Sequence, residues 1–528
     1  MTVEEPGIES GQALCCMYTK LGIGTTQCYS ASQINASDDR GDLNIKTADD
    51  SGSIRSYLVT RPTYGNVVLM FVAYPVKVNS KTPIGGRMEL RQDQRGLQCM
   101  GFSTVPVPWD RSWDTKDRYS LKIEWDLSGA PVGTRGVSSF GEGIVRRRCA
   151  ATDLWRMIFA VGPLNSYPSA DEDKSDSFGF YWFGTAPEQI ASLPPLCEEL
   201  FTKMSEFFQD KLSADNPYRI FVRRVTPARG FGGSGGLRSV VLEYDEAIGT
   251  IIKDEVFNLL AHEIVHNWPL LLPGPKDKDL DLVAWFNEGI ADYYGTILPY
   301  RFGLRSESEF ITRLNAKLTQ YYTNPHIEAT NREALEKGWT DTNLLTLPYT
   351  RGMLYLSKVD YQIRKATSDS KTVDTLILSI LDRTKKQEPH SLVEWKAMIE
   401  ELLGSEALKE LEAMNDGETM RLPIDCFGTD WKLLPVDQRV LDFGFDMSSF
   451  QTRIISGLKS GSQAAKAGLR NGDEMVRNAY TWQCQEEYER SMEMTVKRGE
   501  ELFDVKYWPR SEVMAESWQL RKVEKSPQ

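Results

Sequence analysis

Two of the chain's four histidines fall in a single pentapeptide, His262-Glu263-Ile264-Val265-His266. Residues four apart on an α-helix stack on one face, so His262 and His266 can each aim an imidazole nitrogen at one point. Two neutral imidazoles so placed suit a divalent metal, and Glu263 beside them is placed to take a proton from water on that metal. The helix itself is well supported. Lys253 to Trp268 contains no Gly or Pro, Val256, Leu259, Leu260, Ile264 and Val265 mark an apolar side, and Pro269 ends the run.

A second segment completes the set. Trp285 to Tyr294 reads Trp-Phe-Asn-Glu-Gly-Ile-Ala-Asp-Tyr-Tyr and has the look of a helix. Glu288 supplies an anionic third ligand, leaving one coordination position for water. Asp292, four residues on, shares its face and is placed to accept the outer N–H of a ligating histidine, fixing the tautomer.

The pairing of His-Glu-x-x-His with Asn-Glu-Gly-x-x-Asp resembles the gluzincin metallopeptidases. The whole chain resembles the glycyl aminopeptidase-like family, whose members join a β-rich N-terminal domain, a thermolysin-like catalytic domain and a C-terminal PDZ domain. The resemblance implies a multidomain α+β fold. It comprises a β-sandwich-like domain over 1–175, a thermolysin-like peptidase domain over 176–430 (a mixed α/β part, then a helical part), a PDZ domain over 431–512 and a tail over 513–528.

Composition agrees. A chain of 528 residues exceeds one ordinary core, and 41% hydrophobic with 26% charged residues describes a soluble globular protein. No stretch has the roughly 18 apolar residues of a membrane span, and Glu4, Glu5 and Glu9 replace the basic start of a secretory signal. A net charge of −12 with interspersed signs argues against nucleic acid as a partner. Eight scattered cysteines, without a Cys-x-x-Cys pair, are read as reduced thiols of a cytoplasmic protein. Nothing specifies an oligomeric state.

Along the chain, 66–76 and Tyr119–Trp125 read as strands, as do Tyr218–Arg224 and Arg238–Asp245. The polar stretch 169–177 marks a boundary loop, and Pro195–Leu212 is amphipathic. The glycine-rich stretch 230–237 lacks the Gly-Lys-Ser/Thr of a phosphate cradle. By the resemblance, Gly235, Gly236 and Leu237 occupy the place of the family's substrate-binding edge strand. The next position, where a glutamate holds the substrate's α-amino group, is Arg238. Like charges repel at close range, so amine recognition through this position is lost unless another acid, such as Glu243, substitutes. Pro269–Leu280 includes a longer loop than relatives carry.

Helices are expected over Glu307–Tyr322, Arg351–Thr367, Val373–Leu381 and Leu392–Leu403. Leu347-Pro-Tyr-Thr-Arg-Gly resembles the Pro-Tyr-x-Lys-Gly segment of gluzincin aminopeptidases, which makes Tyr349 the phenol that donates to the oxyanion. His326 and His390 lack spaced partners and read as ordinary histidines. Near the end, Phe443, Gly444 and Phe445 resemble a PDZ carboxylate-binding loop, and Gly461-Ser-x-Ala-Ala-x-Ala-Gly-Leu-x-x-Gly-Asp473 is a PDZ-like string. The expectation is a zinc (Zn2+) metallopeptidase hydrolysing peptide or protein substrates, aminopeptidase-like or endopeptidase, and not a strict aminopeptidase. The alternative is a catalytically inactive peptidase-like protein with a peptide-binding PDZ module; epoxide opening on the same site is a third.

Overall fold

The structure, a computed structural model, describes the chain apart from residues 22–23, 50–52, 80–81, 83–86, 109–117, 171–175, 227–229, 275–279 and 524–528. The middle of the expected boundary loop (171–175) and of the expected long loop (275–279) thus lies outside the described residues. Two compact units emerge: Met1–Glu198 with Lys211–Val256, and Glu199–Asp210 with Phe257–Gln528.

In the first unit, one antiparallel sheet holds Ala13–Tyr18, Ile54–Val59 and Ile45–Asp49, and another is built on Val67–Phe71 and Ile34–Asp38. Leu14, Met17, Tyr57 and Val59 of the one share a core with Ile34, Val67 and Leu69 of the other. The strand Val67–Phe71, shorter than the expected 66–76, alternates: Val67 and Leu69 are buried, Val68 and Met70 exposed.

A five-stranded sheet follows, from β1 (Leu164–Tyr167), β2 (Phe178–Phe183), β3 (Tyr218–Arg224), β4 (Gly232–Gly236) and β5 (Ser239–Tyr244), in the order β1-β2-β3-β5-β4. β2, β3 and β5 run parallel, and β4 lies antiparallel on the edge. β3 and β5 are buried on both faces, apolar at Ile220, Phe221, Val222, Val240, Val241 and Leu242, with Arg219, Arg223 and Glu243 buried among them. Because β1 precedes and β2 follows residue 175 yet the two pair directly, the sheet crosses the expected 1–175 boundary. Glycine suits β4 because other groups press on its backbone. A Cβ on Gly232 would lie 2.1 Å from Arg87 Nη2, and one on Gly236 2.8 Å from the Arg156 carbonyl.

The helices that matter most are α1 (Pro194–Phe207), α2 (Lys253–Val265), α3 (Ala284–Arg301), α4 (Glu307–Tyr322) and α5 (Thr342–Ala366). α5 begins nine residues ahead of the expected Arg351. Pro348 argues for a break, since it removes one backbone hydrogen bond, but Asp341 caps the earlier start by accepting from Asn343 N. Val373–Lys386, Leu392–Leu403 and Ser405–Asn415 follow.

The C-terminal part pairs Trp431–Leu441 with Arg510–Lys522 along a long antiparallel ladder. The expected tail over 513–528 is therefore corrected: through Lys522 it is strand, its Leu520 buried and its backbone held by the partner. A three-stranded sheet (Glu474–Asn478, Met492–Arg498, Glu501–Tyr507) and the helix α6 (Thr481–Glu486) complete it. Among the described residues no helix is long and apolar enough to cross a membrane.

Candidate metal centre

α2 carries the pentapeptide, with Leu260, Ala261 and Ile264 fully buried. It closes at Val265 rather than at Trp268: the last turn tightens, with Asn267 N donating to Ile264 O and Trp268 N to Val265 O. Trp268 stacks on Phe201 and Phe208, and its indole N–H donates to Asp210. The pentapeptide's exit is thereby fixed. His266, one residue past the helix, keeps its place one turn after His262.

α3 approaches α2 closely at Gly295, where a Cβ would lie 3.0 Å from His262 N. On its other side α3 meets α5 backbone to backbone. A Cβ on Gly289 would fall 2.6 Å from Gly352 Cα, and one on Gly352 only 1.7 Å from the Trp285 carbonyl oxygen. Asn287 clamps the segment leaving α2: its Oδ1 accepts from Leu271 N at 3.0 Å, and its Nδ2 donates to Leu271 O. The Asn-Glu-Gly triplet thus ties down the segment after Pro269, presents Glu288 and lets α5 in.

The three expected donors come together. Glu288 Oε2 lies 3.3 Å from His262 Nε2 and 3.2 Å from His266 Nε2, and the two Nε2 atoms are 3.2 Å apart. A tetrahedral ion about 2.05 Å from each of its donors holds them about 3.3 Å apart. Two imidazoles and one carboxylate in this spacing fit a zinc ion with one position left open. On the far side of the ring, His262 Nδ1 is 2.9 Å from Asp292 Oδ1, a carboxylate oxygen that takes the Nδ1–H and leaves Nε2 as the donor to a metal.

The electrostatics favour a cation here. Burial works against charge on His262, but Asp292 and Glu288 outweigh it and push the imidazole up to about 10. Burial likewise opposes ionisation of Glu288 and Asp292, yet both are held well below the usual carboxylate range, Glu288 by the two imidazoles, Asp292 by Lys317 and His262. Positive charge at this point is stabilised whether it arrives as a proton or as a metal.

Tyr349 lies in α5 with its ring stacked on His262, centroids 5.7 Å apart and planes 10° off parallel. Burial, then the carboxylates of Glu288 and Glu263, raise its phenol well above the ordinary value. Glu263, 9% exposed, completes the group.

Residues expected elsewhere resolve as follows. Gly235 and Gly236 end β4, while Leu237 and Arg238 form the two-residue turn into β5, Arg238 with φ +50. The Arg238 guanidinium donates to the carbonyls of Pro217 and Asn216. Glu243, the acid that could have replaced the missing glutamate, is enclosed by Arg223, Arg87 and Arg91. Burial opposes its charge, yet these guanidinium groups hold its carboxyl below the ordinary value. Phe443 and Phe445 point into the C-terminal core, and Gly444, φ +84, turns the chain between them. His326 pairs with Asp341 and His390 with the Glu388 carbonyl, so both are satisfied as expected. All eight cysteines are free thiols.

Sequence reasoning passed over Lys317, whose ammonium lies 2.9 Å from Asp292 Oδ2. The signal was present. Phe310, Leu314, Lys317 and Tyr321 form the buried stripe of α4, and a lysine on an apolar stripe needs a buried anion.

Residues 255–346 match the family model for M61 glycyl aminopeptidase. No curated protein matches the chain in sequence. Among solved structures, an aminopeptidase N family protein from Idiomarina loihiensis aligns over 99% of this chain and 94% of its own, with TM-score 0.66 and 14% identity. A mutant M1 zinc metallopeptidase from Deinococcus radiodurans, bound to Tyr-Ser-Ala, aligns over 80% of this chain and 87% of its own, with TM-score 0.47 and 13% identity. Leukotriene A4 hydrolase from Saccharomyces cerevisiae aligns over 75% and 62%, with TM-score 0.45 and 14% identity.

Proposed function

We propose, from the premise that this chain is a zinc metallopeptidase of the gluzincin kind with an M61-type segment at residues 255–346, that it hydrolyses peptide bonds with His262, His266 and Glu288 as its zinc ligands. The observation that carries this is the triangle of donor atoms, each side 3.2 to 3.3 Å, backed by Asp292 on His262. Zinc bound there would polarise the scissile carbonyl and bring water towards ionisation near neutral pH.

The chain's own residues do the rest. Glu263 accepts the proton of the attacking water and passes it to the leaving nitrogen. Tyr349, kept protonated far above working pH, donates to the oxygen on which negative charge develops. Replacing Tyr349 with Phe is expected to lower kcat by about 10²- to 10³-fold and to leave KM and zinc content nearly unchanged; equal kcat in the two proteins would remove this role.

The hairpin Gly232–Tyr244 supports a departure from strict aminopeptidase specificity. Its one carboxylate, Glu243, is committed to three guanidinium groups, and the family's amine-binding position is Arg238. The zinc-loaded protein should therefore cleave N-blocked peptides as well as free ones, and a chelator should stop both. Cleavage confined to free N-termini would restore the aminopeptidase reading. Absence of hydrolysis of either, with zinc bound, would favour the inactive peptidase-like alternative.

Residues 431–512, with the Phe443-Gly444-Phe445 turn and the core that receives both rings, are compatible with a PDZ module, extended here by the strand to Lys522. In this reading the turn is the peptide-binding element, with the Gly444 N–H already held by Asp442 Oδ1 at 2.9 Å.

A further inference from the structure

Asp292 does not serve His262 alone. Its Oδ1 meets His262 Nδ1, and its Oδ2 lies 2.9 Å from Lys317 Nζ, an ion pair not aligned as a hydrogen bond. Lys317 Nζ in turn stands 3.2 Å from Glu486 Oε1, and Glu486 Oε2 accepts from Arg313 at 2.6 Å. Glu486 is the last residue of α6, in the C-terminal part of the chain. α6 is seated firmly, since Gln483, Cys484 and Gln485 are buried and Gln485 donates to Asn343 in the first turn of α5. The side chains of Asp292, Lys317 and Glu486 are 2%, 7% and 11% exposed, so their charges act on one another with little screening by water.

The order of charges matters. A buried ammonium facing Asp292 alone draws the carboxylate's charge away from the Nδ1–H of His262. Glu486 takes a share of that ammonium and returns acceptor strength to Asp292, and Arg313 limits how much Glu486 takes. Two anions and two cations balance in the row.

We propose that Glu486 is a positioning residue of the metal centre: by sharing Lys317 with Asp292 it sets how strongly Asp292 holds His262, and hence how well His262 Nε2 binds zinc. This rests on His262 being a zinc ligand, as argued above. The C-terminal part then helps build the metal centre as well as packing on the helices.

The test is zinc affinity of the full chain, read by competition with a chromophoric chelator. Glu486→Gln should weaken zinc on the order of tenfold. Glu486→Gln with Lys317→Met, which removes anion and cation together, should return to within about threefold of the parent. Arg313→Gln, which leaves Glu486 freer to hold Lys317, should keep zinc at least as tight as the parent. Asn315→Ala serves as control: Asn315 pairs with both backbone groups of Leu520 and touches none of these charges, so zinc affinity should hold while thermal stability falls.

A purely structural role makes every disruption weaken zinc alike. The proposal is overturned if Glu486→Gln binds zinc like the parent, if Asn315→Ala weakens it equally, or if Arg313→Gln weakens it tenfold. Should Glu486→Gln fail to fold, Arg313→Gln and the charge-balanced pair decide the matter. A parent chain that binds no zinc at all overturns the metal-site reading instead, which keeps the two failures distinct.

Discussion

Glu263→Gln should bind zinc as the parent does and lose about 10³- to 10⁴-fold in kcat/KM. Gln has the shape of Glu, and Glu263 is not one of the three clustered donors, so the donor triangle is untouched. What the amide cannot do is accept a proton. The loss should fall on kcat, because the group acts on the attacking water and on the leaving nitrogen, not on the ground-state complex. Zinc content by atomic absorption and steady-state kinetics on one peptide suffice. Turnover within a few-fold of the parent would leave Glu263 without the role of base, and loss of zinc would make it a structural residue of the centre.

The parts of this centre written over short stretches were legible in the sequence. His262 and His266 are one helical turn apart, Glu288 and Asp292 another, and helix geometry converts those spacings directly into faces. What escaped depends on partners far along the chain. Lys317 could have been flagged by its place among Phe310, Leu314 and Tyr321, but its anions stand on α3 and α6, and nothing local names them. α5 starts ahead of the expected Arg351 and runs through Pro348, a strong local break signal, because the Asp341 cap and burial of Leu344 and Leu347 hold its first turns. The tail expected over 513–528 is strand through Lys522 because its pairing with Trp431–Leu441 is a non-local event. Leu237, expected on an edge strand, and Arg238, expected to open the next strand, form the turn between them, and Arg238's grip on the Pro217 and Asn216 carbonyls and Glu243's three arginines depend on tertiary packing.

Gly352→Ala offers the sharpest contrast between local and packed-state reasoning. Propensity alone holds that Gly to Ala inside a helix stabilises by about 1 kcal/mol. In α5 the added Cβ would sit 1.7 Å from the Trp285 carbonyl oxygen and 3.0 Å from Gly289 Cα, both backbone atoms that cannot turn aside as a side chain does. α3 and α5 must move apart, at a cost of roughly 3 kcal/mol by the measure of overpacked interiors. The damage is directed. Gly289 adjoins Glu288, and Tyr349 stands three residues before Gly352, so separating the helices draws the third zinc donor and the phenol away from each other. The variant should therefore melt earlier and also bind zinc more weakly. Gly303→Ala provides the comparison: Gly303 has φ +73 with nothing within 4 Å of the added Cβ, so only backbone strain of about 1 to 2 kcal/mol applies, and zinc affinity should not change. Thermal midpoints by circular dichroism, with zinc titrations on both variants, give the comparison. A Gly352→Ala protein as stable and as tightly zinc-bound as the parent would mean that the two helices do not meet backbone to backbone, and with that contact would go the means by which Glu288 and Tyr349 reach His262.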